Sequence, residues 1–180
     1  KKVLLVDADP QANSTSGSGG DLQDFEFNLY HCMINDIDPH KAIITTTTPN
    51  LFFLSFDIDL VGADIELVSM QDREFVLRKV LYKIKDEFDY IIIDCLPSLG
   101  LMTINALVAA DSVIIPVQTE LFALEGLSKI KNTIELVKEG LNPELKIEGV
   151  LLSMYDKRLR MSTMVIHDMR ENIKMPIFNT

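Results

Sequence analysis

Two aspartates, Asp7 and Asp9, follow directly on the apolar run Val3-Leu4-Leu5-Val6 and lead into Pro10-Gln11. A third, Asp94, ends a second apolar run, Tyr90-Ile91-Ile92-Ile93, and is followed by Pro97 and Gly100. Carboxylates bind hard divalent cations such as Mg²⁺ through oxygen, usually with several retained waters. Phosphoryl transfer from ATP to water needs such a cation to neutralise charge and a group to place the attacking water. In an open α/β sheet, ligands bind at the carboxyl ends of the strands, which is where both runs put their acids. The pattern points to a metal-nucleotide site in which the three acids converge on one cation. Asp94 stands where a carboxylate would hold a magnesium-bound water, and Gly100 would let the backbone approach the γ-phosphate.

The elements that must position these acids follow from periodicity. Buried-type apolar runs occur at Val3–Val6, Leu51–Phe56, Tyr90–Ile93, Val113–Val117 and Ile147–Met154, with helical spacing in most of the gaps. This alternation predicts an α/β fold, a mostly parallel sheet flanked by helices and joined by right-handed crossovers. The spacing of Leu77, Val80, Leu81, Ile84 and Phe88 predicts a helix over Arg73–Phe88. A second helix is expected over Leu121–Glu139, with the stripe Leu124, Leu127, Ile130, Ile134 and Val137 and a left-handed Gly140 ending it. Leu101–Ala110 and Ser162–Ile173 complete the helix set. The segment Asn13-Ser14-Thr15-Ser16-Gly17-Ser18-Gly19-Gly20 reads as a mobile loop, serving either as a nucleotide-responsive switch or as a surface connector. Thr45–Thr48 reads as a plain loop.

Composition bounds the function. The chain has 180 residues, 47% hydrophobic and 24% charged, which suits one globular domain with a real core. A formal net charge of −10 argues against a surface that attracts nucleic acid everywhere, so any DNA contact is local or lies outside this stretch. Cys32 and Cys95 have neither metal-ligand nor disulfide-scaffold spacing, which favours a reduced, cytoplasmic setting. No apolar run approaches the ~20 residues of a membrane span. His31, His40 and His167 share no metal-ligand spacing.

The sequence resembles, nearly end to end, the ParA/Soj family of chromosome- and plasmid-partitioning ATPases. The resemblance is carried by Val3 to Asn13 with its Asp-x-Asp-Pro-Gln core, Asp57 to Ala63, Tyr90 to Gly100, Pro116 to Glu120 with Phe122-Ala123-Leu124-Glu125-Gly126-Leu127, and Gly149 to Asp156. It implies a P-loop NTPase-like fold of which residues 1–180 form a single, incomplete domain, with ATP and Mg²⁺ as ligands. By the same resemblance Asp9 is the catalytic residue that positions or polarises water, and Asp7 lies with Asp94 near the magnesium. Pro10, Gly100, Met154 and Asp156 fall on nucleotide-binding positions, the last two beside the adenine. Glu120 is either a helix-terminal carboxylate or a contact to a partner subunit. The family further implies a nucleotide-dependent homodimer, a ParB-type centromere-binding partner, non-specific DNA bound mostly through regions outside this stretch, no membrane, and a cytoplasmic, nucleoid-associated location.

The chain departs from the family in two ways. Leu96 replaces a proline that usually precedes Pro97, and no Gly-x-x-x-x-Gly-Lys-Ser/Thr stretch exists in the 180 residues. The stretch is therefore expected to be an internal piece of a longer protein, preceded by a strand-loop-helix unit of roughly 30 residues. By itself it is expected to be inactive. Two other readings stand beside this one: a relative of the cell-division-site, membrane-associated ATPases, and a non-catalytic interaction module. Met154 and Tyr155 can equally be core residues at a strand end. Lys157, Arg158 and Arg160 form a compact basic cluster that reads as a solvated loop or as a DNA, phosphate or partner contact. Asn105, on the helix after Asp94, reads as structural support.

Overall fold

The computed structural model describes residues 1–180 except 10, 12, 18–25, 56–64, 97–99, 121–122, 156–157, 159, 174 and 179–180, with backbone alone at 16 and 160–162. Pro10, Asp156, Lys157, the Asp57–Ala63 motif and the Pro97-Ser98-Leu99 turn lie outside the described residues. The chain divides into two compact units, Lys1–Ala109 and Ala110–Thr180.

The first unit is built on a four-stranded sheet in the order β2-β3-β1-β4, comprising β1 (Val3–Ala8), β2 (Ile43–Thr45), β3 (Leu51–Leu54) and β4 (Tyr90–Cys95). β1 runs parallel to both neighbours, pairing Val6 with Leu54 on one side and Val6 with Ile93 on the other. The unit also carries helices α1 (Asn13–Gly17), α2 (Leu29–Ile34), α3 (Val76–Tyr82) and α4 (Leu101–Ala109), and a helical turn at residues 65–68. Its core gathers Leu4, Val6 and Ala8 of β1 with Leu29, Met33, Leu77, Val80, Leu81, Met102 and Ala106 from α2, α3 and α4. The expected parallel α/β arrangement is thus present, with the Leu4, Val6 and Ala8 face of β1 packed into the core.

Three local expectations are corrected. Ile43–Thr45 is a short antiparallel edge strand on β3, so Thr45 belongs to the sheet and only the residues after it turn. The helix expected over Arg73–Phe88 is broken: a 3₁₀ turn at Arg73–Phe75 precedes α3, and another at Lys85–Glu87 follows it. Beyond Val80 the chain tightens into bonds from Lys83 to Val80 and from Ile84 to Leu81, which carry Ile84 into the core at 1% exposure. Third, Asn13–Gly17 is a helical turn docked on the sheet. Asn105 has the supporting role expected of it. Its Oδ1 accepts the Leu77 N–H at 3.0 Å, and its Nδ2 donates to the Arg73 and Leu101 carbonyls at 2.8 and 3.0 Å, so a side chain of α4 caps the start of α3.

His40 ties two turns of this unit together. Its Nδ1 meets Asp38 Oδ1 and its Nε2 meets Glu87 Oε1, each at 2.6 Å. The Glu87 and then the Asp38 hydrogen bonds raise its pKa above the ordinary histidine value. The protonated ring favours the native state, so this contribution is full below the unfolded pKa of about 6.5 and is lost as pH rises through the raised native value. Urea midpoints of wild type and His40→Gln, measured from about pH 6 to about pH 9, are expected to differ at the acidic end and converge at the alkaline end. A constant difference would remove His40 as the titrating group.

The second unit pairs β5 (Ser112–Gln118) with β6 (Lys146–Ser153) in parallel, and carries α5 (Ala123–Gly140) and α6 (Arg160–Asn172). Leu127, Ile134 and Val137 of the expected α5 stripe are buried. Gly140 is the last helical residue rather than a left-handed cap, because the Leu141 and Asn142 N–H groups both turn back to the Val137 carbonyl at 2.8 Å. Gly149 takes a φ of +155°, and a Cβ there would lie 2.7 Å from the Pro176 carbonyl oxygen. That close approach lets Val150 donate to Pro176 and accept from Phe178, adding the segment around Ile177 beside β6. Among the described residues no helix is long and apolar enough to cross a membrane.

Candidate functional site

The carboxyl rim of the first unit's sheet brings its acids together. β1 and β4 run parallel and in register, so Asp7 is paired directly with Asp94 and Ala8 with Cys95. Registered partners on parallel strands share a face, and Asp9 follows at once beyond the end of β1. The three acids therefore stand on one rim.

Their surroundings differ. Asp7 is fully buried and accepts three hydrogen bonds: its Oδ1 takes the Asp9 N–H at 3.1 Å, and its Oδ2 takes the Thr15 N–H at 2.8 Å and the Thr15 hydroxyl at 2.6 Å. Asp9 is 8% exposed and uses Oδ1 to accept the Gln11 N–H at 2.8 Å. Asp94 Oδ2 accepts the Ser14 hydroxyl. Among the described residues, Asp9 Oδ2 and Asp94 Oδ1 receive no bond. The Ser55 hydroxyl, one residue past the Leu54 that pairs with Val6, is buried with no partner among the described residues. Cys95 stays a neutral thiol, since burial, then the charges of Asp94 and Asp9, push its pKa up to about 11.

Among the described residues no three His, Cys, Asp or Glu side chains form a group that could hold a metal. Asp7 meets protein donors on both oxygens, whereas Asp94 has one oxygen that receives no bond among the described residues. Mg²⁺ commonly takes one or two carboxylates and completes its shell with water and substrate phosphate. An open oxygen on Asp94, flanked by the free oxygen of Asp9, fits that donor set.

The other expected site residues are placed as follows. Gly100 is half-buried just before α4, where its carbonyl accepts the Ile104 N–H at 3.2 Å. The Leu96 carbonyl between Asp94 and Gly100 accepts the Thr103 hydroxyl at 2.8 Å, which anchors the stretch after β4 to α4. Glu120 and Met154 belong to the second unit. Glu120 is exposed, and its backbone carbonyl rather than its carboxylate meets Ala123 at the start of α5, at 3.1 Å; the acid in the first turn of that helix is Glu125. Met154 follows β6 with φ +54° and 81% exposure, beside the exposed Tyr155. A non-glycine residue held left-handed and exposed is unlike a core methionine, so the core reading of Met154 fails. Arg158 is exposed. Ser14 and Thr15 are the site residues that sequence reasoning missed, because their string of small polar residues carries a loop signal.

Residues 1–147 match the model of a family described as an AAA domain. The chain is 49% identical over 180 residues to the sporulation initiation inhibitor protein Soj of Bacillus subtilis, covering 100% of this chain and 71% of that protein. It is 47% identical over 178 residues to the chromosome partitioning protein ParA of Myxococcus xanthus, covering 99% of this chain and 63% of that protein. It is also similar to the solved structure of cobyrinic acid a,c-diamide synthase from Mycobacterium smegmatis with a bound ATP analog and magnesium. There the TM-score is 0.93 at 36% identity, over 100% of this chain and 73% of that one.

Proposed function

Because the chain belongs to the Soj/ParA family of chromosome-partitioning proteins, we propose that it is part of an ATPase that segregates a chromosome or plasmid by hydrolysing ATP at the rim formed by Asp7, Asp9 and Asp94. One observation carries this reading: Asp7 pairs in register with Asp94, with Asp9 directly beyond, and among the described residues Asp9 and Asp94 each keep one carboxylate oxygen open. The identity to Soj and ParA, 49% and 47%, exceeds that to the diamide synthase at 36% and favours partitioning.

Magnesium, when bound, neutralises phosphate charge. Asp94 would hold it through the carboxylate oxygen that Ser14 leaves open. Asp7 fixes the rim: it draws the Asp9 N–H and both donors of Thr15 onto one buried carboxylate, so the backbone leading to Asp9 has a set course. Asp9 Oδ2 orients the attacking water and draws on its proton as the water oxygen bonds to the γ-phosphorus and the bond from that phosphorus to the ADP oxygen breaks. Gly100 is proposed, by the family resemblance, to let the backbone approach the phosphates. Glu120, exposed after β5, is proposed to face a second subunit in an ATP-dependent dimer. The 180 residues hold no glycine-rich loop with a phosphate lysine, so by themselves they are proposed to be inactive.

The protein acts in the cytoplasm on the nucleoid, with a ParB-type partner and non-specific DNA. With a net charge of −10, any DNA contact made by these residues is local. The native protein is expected to co-sediment with DNA of arbitrary sequence in ATP and Mg²⁺, to release it in ADP, and to ignore anionic liposomes in both. Liposome binding driven by ATP would instead establish the cell-division-site, membrane-associated reading.

A further inference from the structure

We propose that Ser14 is a positioning residue for the cation carboxylate Asp94, and that the helical turn Asn13–Gly17 is a two-point clamp holding both in-register acids. The inference rests on the reading of Asp94 as the carboxylate that meets the cation. Ser14 donates its hydroxyl to Asp94 Oδ2, and the next residue, Thr15, donates its N–H and its hydroxyl to Asp7 Oδ2. Adjacent residues of one turn thus grip carboxylates that face each other across β1 and β4.

The two grips are unequal in consequence. Asp7 has three donors and is fixed whatever Ser14 does. Asp94 has one side-chain donor among the described residues, and that donor is Ser14. A carboxylate free to turn about its last torsion samples a broad range of orientations. With Oδ2 tied to a hydroxyl, Oδ1 is presented in one direction. Outer partners of this kind set the orientation of a metal-binding carboxylate, and their loss typically costs ~10–100-fold in metal affinity. Alanine at position 14 keeps or improves helical propensity, so it removes the hydroxyl without removing the turn that carries it.

The test uses the native protein loaded with ADP, with Mn²⁺ as the probe and its binding followed by electron paramagnetic resonance. Ser14→Ala is expected to weaken Mn²⁺ binding by at least ~10-fold without lowering the melting temperature. Ser14→Thr, which retains the hydroxyl, is expected to stay within about threefold of wild type. Asp94→Asn tests the underlying reading and is expected to weaken binding more than Ser14→Ala. Unchanged Mn²⁺ affinity in Asp94→Asn would refute the cation role of Asp94 and the proposal with it. Weakened binding in Asp94→Asn with wild-type binding in Ser14→Ala would leave that role standing and overturn the proposal alone. Equal losses in Ser14→Ala and Ser14→Thr would also overturn it, since the hydroxyl would then not be what matters.

Discussion

Asp7→Ala is expected to destabilise the protein by on the order of 3–5 kcal/mol in buffer free of divalent metal. The Asp7 side chain is fully buried, and its removal takes an acceptor from the Asp9 N–H, the Thr15 N–H and the Thr15 hydroxyl at once. Each buried donor left without an acceptor costs about 1–3 kcal/mol, and the Thr15 hydroxyl can soften its share by rotating. Thr15→Val removes one donor and keeps the backbone bond, so it should cost less, about 1–2 kcal/mol. Urea unfolding with chelator present measures both. The sign of the Asp7 effect separates two roles. An acid kept only to bind a cation is held at the expense of stability in the apo protein, and its replacement leaves stability unchanged or raises it. Equal or greater stability of Asp7→Ala without metal would show that the three hydrogen bonds do not anchor α1.

Much of this arrangement was legible in the residues. Val3 to Val6 and Tyr90 to Ile93 are short apolar runs that each end in aspartate, and a buried parallel strand with an acid at its tip is the simplest structure they can form. Adjacency followed less directly: nothing in either run specifies that Asp7 pairs with Asp94 rather than a residue to one side, and that register decides whether the acids share a face. Ile43–Thr45 was illegible because three residues joined to a threonine string show no alternation to read, and the strand exists by pairing with β3. The helix of residues 73–88 was overextended because its apolar spacing suits α-helix and 3₁₀ turns almost equally, while burial of Ile84 selects the tighter form.

Ser14 and Thr15 failed for a deeper reason. Serine and threonine compete locally with the backbone for hydrogen bonds, so in isolation such a stretch favours turns. Here it is helical and bonded to carboxylates on two strands, one of them 80 residues from Ser14. Long-range partners of this kind leave no mark in local composition. Gly149 is the converse case, a residue whose necessity is fixed by the Pro176 carbonyl it must let approach.

The proposed function gives Asp9 the chemical step, and ATP turnover by Asp9→Ala in the native protein is the most direct measure of it. Among the described residues Asp9 holds only the Gln11 N–H and gives Asp7 only its backbone N–H, so alanine removes the carboxylate while the rim built on Asp7, Thr15 and Ser14 stays in place. A group that orients water and draws on its proton contributes about 10²–10⁴-fold, whereas an interaction made mainly in the transition state leaves ground-state binding nearly untouched. Single-turnover hydrolysis by Asp9→Ala is therefore expected to fall by at least ~100-fold, with ATP affinity within about twofold of wild type. Wild-type turnover in that variant would contradict the assignment of hydrolysis to this rim.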